Sequence, residues 1–302
     1  MKHLRTLTYV AEVARSGSIR RAAERLNITP SALTRQIQDI EYELGTPIFE
    51  RLAQGMRLNA AGELLARHIR DQIADLERIR SQIADLSGVR RGHVALACSQ
   101  GFVTRVVPEE IEAYRERFPQ VGFSVQVRDY NQAVAALASF EADLALVLQP
   151  PVSAELHPLY VGRQRICAFM RADHPLAAES GPVRIRACRA HALALPDRSL
   201  AIRHHVSQAL GPRGLDLEPV VESGSFEFLR AVTLRQNLVS LQVAIGIPDD
   251  PALRARPIDE RDLAPMTMVL AQLRGRMLSV AAGKFAEQLA VRLDRCDEAA
   301  AP

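Results

Sequence analysis

The sequence predicts a multidomain chain: an N-terminal all-α winged helix-turn-helix, a long linker helix, and a C-terminal α/β region. Three observations carry this. Two helical patterns meet across a very short turn at residues 27–28, an apolar stripe then runs at steps of three or four through residues 65–86, and beyond residue 92 short apolar runs alternate with helical segments. The expected boundaries are 1–60, 61–91 and 92–302.

In the head, Leu4, Leu7, Val10, Ala11 and Ala14 repeat with helical period, and Gly17 ends that helix. Ser18 then caps a second helix, in which Ala22 and Ala23 are small enough for another helix to press close and Asn27 tolerates the left-handed turn that stops it. The third pattern is residues 29–41, TPSALTRQIQDIE. Thr29 is the expected cap, and Pro30 suits the first helical position, where its missing N–H has no partner to lose. Leu33, Ile37 and Ile40 fall on one inner stripe, and Ser31, Thr34, Arg35 and Gln38 fall on the opposite side.

An arginine, an amide and two hydroxyls on one helix flank have the chemistry to enter a major groove of double-stranded DNA. Arg can take a guanine edge bidentately, Gln an adenine edge, and Ser or Thr a base or phosphate oxygen. An ordinary solvated helix face is the alternative. The helix, tight turn, helix arrangement favours DNA, because there one helix braces and the next reads. The following LGTPIFER and residues 52–58, with Gly55 at a turn, predict a short β-ribbon wing, with Arg51 and Arg57 placed to hold phosphates.

Asn59 caps the long helix, whose stripe is Leu65, Ile69, Ile73, Leu76, Ile79, Ile83 and Leu86. A stripe of that length predicts a homodimer seam, with packing inside one chain as the alternative because the steps are not a strict heptad. Residues 88–92, GVRRG, are the expected hinge. Beyond it, strands are expected at 94–98, 123–127, 143–148, 166–170, 192–195, 218–221, 239–243 and 266–273, with helices at about 105–118, 131–140, near 206, 226–235 and 278–293. Such alternation predicts right-handed βαβ units and a largely parallel sheet.

Composition narrows the function classes. A hydrophobic fraction of 48% with 24% charged residues describes a globular chain, and a net charge of +3 permits a nucleic-acid partner without arguing for one. No run approaches the roughly 18 apolar residues of a membrane span, and the N-terminus lacks a signal-peptide core, so a cytoplasmic location is expected. The four cysteines, Cys98, Cys167, Cys188 and Cys296, form no CxxC pair and are expected as buried free thiols. Cys188 with His191 and the pair His204–His205 invite zinc, but neighbouring side chains on a strand diverge and a structural site needs four convergent ligands. No GxSxG elbow, GxGxxG or P-loop is present, and no nucleophile has an identifiable base, so an enzyme is not expected.

AAERLNITPSALTRQIQDIEYELGTPIFER, the LNAAG at 58–62 and the ADHPLA at 172–177 resemble the LysR-type transcriptional regulators, over the whole chain and most strongly in residues 1–65. The departures are Asn59 where Thr is usual, Pro30 and Ser31 where Gln then Pro are frequent, and a wing, AQGM, with less positive charge. The resemblance implies a two-lobed, periplasmic-binding-protein-like effector domain, with one lobe at about 92–163 and 267–302 and the other at about 164–266. A small-molecule effector would sit between the lobes, and a homodimer joined by the linker helix would assemble into a homotetramer. No cofactor is implied. A cytoplasmic solute-binding α/β protein with a helical dimerisation module and no DNA binding is the rival reading.

Clefts of such folds lie at the carboxyl ends of strands. That rule nominates Ser99 and Gln100 after the first strand, with Ser99 either binding a ligand or capping a helix. Gln149 ends another strand, and Gln242 is a polar residue within an apolar run. The resemblance adds the segment PDRSLAIRHH, which nominates Ser199 and Arg203.

Overall fold

The computed structural model describes residues 2–52, 55–69, 72, 76, 79, 92–150, 153–213 and 217–298. The chain divides into a unit ending at Arg80 and a unit beginning at Ser81. Residues 88–91 of the expected 88–92 hinge and stripe residues Ile73, Ile83 and Leu86 lie outside the described residues.

The first unit holds α1 (Lys2–Ser16), α2 (Ile19–Leu26) and α3 (Pro30–Leu44). Its caps are those expected. The Ser18 hydroxyl accepts from Arg21 N–H, Asn27 adopts φ 53°, and the Thr29 hydroxyl accepts from Ala32 N–H. Leu33, Ile37 and Ile40 are buried against Val10, Val13, Ala22 and Ala23 in one core. The wing is the antiparallel pair β1 (Phe49–Leu52) and β2 (Gly55–Leu58).

Two contacts fix the wing relative to α3. The Glu41 carboxylate, on the last turn of α3, accepts from Ile48 N–H at 2.9 Å and from Phe49 N–H at 3.4 Å. On the other strand, Met56 N–H donates to Gly17 carbonyl at 2.9 Å. Gly55, at φ +137°, approaches that same carbonyl so closely that a Cβ would lie 2.4 Å from it. A fourth helix, α4 (60–69 among the described residues), begins at Asn59, whose amide oxygen accepts from Gly62 N–H and whose amide nitrogen donates to Pro47 carbonyl, both at 2.9 Å. The departure from threonine therefore keeps the cap and adds a tie to the segment leading into the wing.

The second unit carries two five-stranded sheets. The first uses β3 (Gly92–Cys98), β4 (Val121–Val127), β5 (Leu144–Leu148), β6 (Leu156–Gln164) and the late strand β12 (Met266–Leu273), in the order β4-β3-β5-β12-β6. The second uses β7 (Ile166–Arg171), β8 (Leu193–Pro196), β9 (Val221–Ser223), β10 (Val239–Val243) and β11 (Leu253–Pro257), in the order β11-β7-β10-β8-β9. The helices are α5 (Val106–Arg117), α6 (Tyr130–Ala138), α7 (Ile185–Cys188), α8 (Ala201–Leu210), α9 (Phe226–Gln236) and α10 (Val280–Glu298). Tyr114, Phe118, Phe123 and Phe285 cluster at ring distances of 4.8 to 5.7 Å and seal α10 against α5 and β4.

The largely parallel expectation needs correction, because both sheets are mixed. β3 runs parallel to β4 and β5, but β12 is antiparallel to β5 and β6, and β7 is antiparallel to β10 and β11. β12 enters its sheet from the crossover between sheets rather than from a helix of its own lobe. Two strands were not expected at all. β6 contains Pro158 and Gly162, which argue against a central strand, but it lies at an edge and its register with β12 shifts beside Pro158. β11, LRARP, is a charged edge strand. The expected strand at 218–221 begins later, at Val221, because Pro219 has no N–H for a ladder.

Cys98, Cys167 and Cys188 are buried, and burial raises their thiols to about 12, 11 and 12 respectively. They are protonated at neutral pH and poor nucleophiles. Cys296 is half-buried.

His174 is buried, accepts from Leu176 N–H through Nδ1, and stacks edge-on against His191 at 4.7 Å. Burial holds its pKa below the usual 6.5, and the nearby His191 adds to this, partly opposed by Asp173. The unfolded chain takes up a proton below pH 6.5 that the folded chain resists. Stability therefore falls as pH drops from 6.5 and levels off below the folded value. Urea melts at neutral pH and near pH ~5.5 are expected to show this loss, and His174→Asn, which keeps the capping acceptor, is expected to reduce it; an equal loss in the variant would assign the dependence elsewhere.

At the start of α4, Asn59→Thr is expected to retain most of the stability, whereas Asn59→Ala loses about 1 to 2 kcal/mol, measured by chemical denaturation of the first unit's transition.

Candidate functional site

On the first unit the candidate site is the outer flank of α3. Ser31, Arg35 and Gln38 are exposed and Thr34 is half-buried. Thr34 hydroxyl donates to Pro30 carbonyl at 2.9 Å, and the Ser31 hydroxyl lies 3.2 Å from that of Thr29, so both hydroxyls are held near the helix N-terminus. Arg35 and Gln38 side chains have no hydrogen-bond or ion-pair partner among the described residues. No acidic residue occupies the first turn of α3 or of α2, so the free N–H groups and positive dipole end of each helix are uncompensated, which suits a phosphate oxygen.

Arg57 is exposed on β2 and pairs with Glu50 directly across the ribbon at 3.3 Å. An exposed pair of this kind contributes about 0 to 1 kcal/mol, so Arg57 remains available to an anion. The side chain of Arg51 lies outside the described residues. Arg20 and Arg21, exposed on the first turn of α2, escaped the sequence reading. The signal was present as two cations directly after the Ser18 cap, and Arg20 is held only by an exposed 3.5 Å contact to Glu24.

On the second unit the candidate site is a cavity of about 240 Å³ at the carboxyl ends of β3 and β4, faced by residues that follow β8 and β9. Ser99, Gln100 and Ser199 line it, together with Arg128, Asp129, Tyr130, Gln132 and the apolar Val127, Leu148, Leu200, Ile202, Phe226 and Val243. Ser99 does not cap a helix. Its hydroxyl accepts from Leu148 N–H at 3.3 Å, which locks the β3 end to β5. Ser199 N–H and hydroxyl both donate to the Asp197 carboxylate.

The other three nominated residues serve elsewhere. Arg203 is turned away, pairing with Glu222 at 3.2 Å and donating to Leu217 carbonyl. Gln242 is buried and donates to Gly246 carbonyl at 3.0 Å. Gln149, at φ 48°, accepts from Thr267 N–H at 2.7 Å and donates to His205 Nδ1 at 2.9 Å, while His205 Nε2 donates to Ala264 carbonyl at 2.8 Å. Of these, the Gln149–His205 contact joins the two lobes, whereas the bonds of Arg203 and Gln242 stay within the second. Arg128 to Gln132 were missed, although the rule that selected the loop after β3 applies equally to the loop after its parallel neighbour β4.

Further ties hold the cleft walls. Gln100 side-chain oxygen accepts from Phe226 N–H at 3.2 Å, Gln164 accepts from Ile245 N–H at 3.2 Å, and Arg105 donates to Ile247 carbonyl at 3.2 Å. At the base, Gly101 and Gly246 meet backbone to backbone, with a Cβ on Gly246 falling 2.2 Å from Gly101 carbonyl oxygen. The histidines that invite zinc in the sequence are otherwise engaged: His204 with Gln208, His205 with Gln149, His191 with His174. No helix among the described residues is long and apolar enough to cross a membrane.

Comparison with known proteins gives two domain matches. Residues 4–63 match the model described as bacterial regulatory helix-turn-helix protein, lysR family, and residues 87–294 match the LysR substrate binding domain. A probable RuBisCO transcriptional regulator of Emiliania huxleyi is 26% identical over 70% of this chain and 68% of its own length. The HTH-type transcriptional regulator CbbR of Sinorhizobium medicae (strain WSM419) is 34% identical over 58% of this chain and 55% of its own. Among solved structures, a full-length OxyR from Pseudomonas aeruginosa carrying a single cysteine-to-aspartate substitution has a TM-score of 0.70 at 20% identity, covering 95% of this chain and 93% of that one. Full-length CbnR complexed with its target DNA has a TM-score of 0.62 at 17% identity, covering 95% and 98%. At these identities the two structures bear on fold alone.

Gly246→Ala is expected to destabilise the second unit by about 1 to 3 kcal/mol, since backbone rather than a flexible side chain must give way. A urea titration in which the variant matches the parent would show that the two loops part freely.

Proposed function

We infer, from a chain that belongs to the LysR-type transcriptional regulator family, that α3 reads double-stranded DNA and that a small molecule in the cleft of the second unit modulates that binding. The observation that carries the DNA half is the pairing of a fully buried apolar stripe on α3 with an exposed, unpartnered Arg35 on its other side. A cation with no partner among the described residues is free to take a guanine edge or a phosphate without giving up one of those contacts.

In this reading Arg35 and Gln38 contact bases, Ser31 and Thr34 contact base or backbone oxygens near the N-terminus of α3, and Arg51 and Arg57 hold phosphates from the wing. Arg20 and Arg21 extend the same positive edge. A homodimer joined by the linker helix, assembling into a homotetramer, would present reading heads in pairs and so select an interrupted palindrome. Ser99, Gln100 and Ser199, with Arg128 and Tyr130, would face the effector. A ligand that binds a more closed cleft more tightly shifts the population toward it. The protein acts in the cytoplasm as a regulator rather than a catalyst and needs no cofactor besides its effector.

Selection from a random duplex pool with the full-length protein is expected to enrich an interrupted palindrome. On the enriched site, Arg35→Ala is expected to weaken specific binding by about 1 to 3 kcal/mol and to affect nonspecific binding less, as read by fluorescence anisotropy over a salt series. Failure to enrich any sequence, with unchanged binding of Arg35→Ala, would refute the DNA assignment.

A further inference from the structure

The cleft lining carries one cation, Arg128, and one anion, Asp129, which differ in how they are engaged. β3 and β4 pair in parallel to their ends, with Cys98 opposite Val127, so Ser99 and Arg128 emerge side by side at the cavity mouth. Arg128 N–H donates to Cys98 carbonyl at 2.9 Å, which fixes where its side chain begins. Its guanidinium donates through Nε at 3.2 Å and Nη2 at 3.1 Å to a single acceptor, the amide oxygen of Gln126. That acceptor is neutral, so the half-buried guanidinium has no carboxylate partner among the described residues, and its remaining N–H groups are unassigned.

The acidic groups nearby are already committed. Asp129 accepts from Gln132 N–H at 2.8 Å in a capping box, where the positive end of α6 stabilises its charge. Asp197 on the facing wall is occupied by the N–H and hydroxyl of Ser199. The cavity thus offers a guanidinium that no carboxylate holds among the described residues, beside the apolar Val127, Leu148, Leu200, Ile202, Phe226 and Val243. At about 240 Å³ the space is smaller than the ~300 Å³ at which sites for drug-sized ligands begin.

We propose that the cleft is a receptor for a small organic monoanion, with an apolar body against Phe226 and Ile202 and a carboxylate received by Arg128. This inference rests on the cleft reading above and adds the ligand's charge class and its determining residue. Arg128 would bind the carboxylate through two N–H groups in a fork, releasing or sharing Gln126. A dianion would leave its second charge against apolar side chains, and an ammonium would face the guanidinium; both are disfavoured.

The test uses the full-length protein and four probes of similar body: hexanoate, hexanamide, hexylamine and glutarate. Thermal shift and calorimetry are expected to show binding of hexanoate above the other three. Arg128→Gln should lower hexanoate affinity about tenfold or more, with Arg128→Lys intermediate, and should leave the unliganded melting temperature close to that of the parent. Ser199→Trp, which fills the cavity, should abolish the response. If hexanamide, hexylamine or glutarate binds as well as hexanoate, or Arg128→Gln keeps the affinity, the monoanion class is wrong; loss of those responses in Ser199→Trp would still leave the cleft as a ligand site. If no probe binds the parent protein, both the charge class and the cleft reading fail, while DNA binding by the first unit is judged separately on the selected duplex.

Discussion

Burial of one stripe, Leu33, Ile37 and Ile40, decides what the first unit can do. Those side chains sink between α1 and α2 because Ala22 and Ala23 let the helices approach, and the helix can then rotate in only one way. The consequence is that the polar flank of α3 faces outward. Everything else in the unit refines that placement. Thr29 and Pro30 set where the helix begins, Gly45 sets where it stops, and Glu41 uses the helix's last turns to capture two N–H groups of the wing's first strand. The wing is thus tied to α3 through the Glu41 carboxylate and to the end of α1 through the Met56 N–H to Gly17 carbonyl bond.

The second unit solves a different problem, which is how to hold two sheets together while keeping space between them. Its connections include the Gln149 and His205 pair, Gln100 with Phe226 and the bare backbone meeting of Gly101 with Gly246, all uncharged, beside one guanidinium donor, Arg105 to the Ile247 carbonyl. Neutral hydrogen bonds contribute about 1 kcal/mol each, which is within the range that a ligand's differential affinity can overcome. Charged ties of the buried kind would resist such a change more strongly. The burial that keeps three of the four thiols protonated makes them poor nucleophiles.

Local features were legible before the fold. The caps at Ser18, Asn27 and Thr29, the stripe on α3 and the strands around Val94, Leu144, Val239 and Met266 all depend on neighbours within a few residues, and each appears where the chain's periodicity places it. β6 and β11 were hidden because Pro158 and the arginines of β11 obey edge-strand rules, and whether a strand is an edge is a property of the whole sheet. Sheet direction escaped for the same reason. The antiparallel course of β12 is set by a crossover more than a hundred residues after β5, beyond any local pattern.

The sequence by itself determined the three-helix first unit, the polar flank of α3 and most of the succession of strands and helices, since backbone propensity, capping and amphipathic period act over a single turn or pleat. Tertiary structure decided which polar side chains meet in the cleft. Gln149, Arg203 and Gln242 carry the right chemistry for a ligand yet are taken by Thr267, Glu222 and Gly246, whereas Arg128 has the neutral Gln126 as its acceptor and no carboxylate bonded to it among the described residues. A hydrogen-bonding group's availability depends on which distant partners the fold brings within three ångströms, and no local rule contains that information.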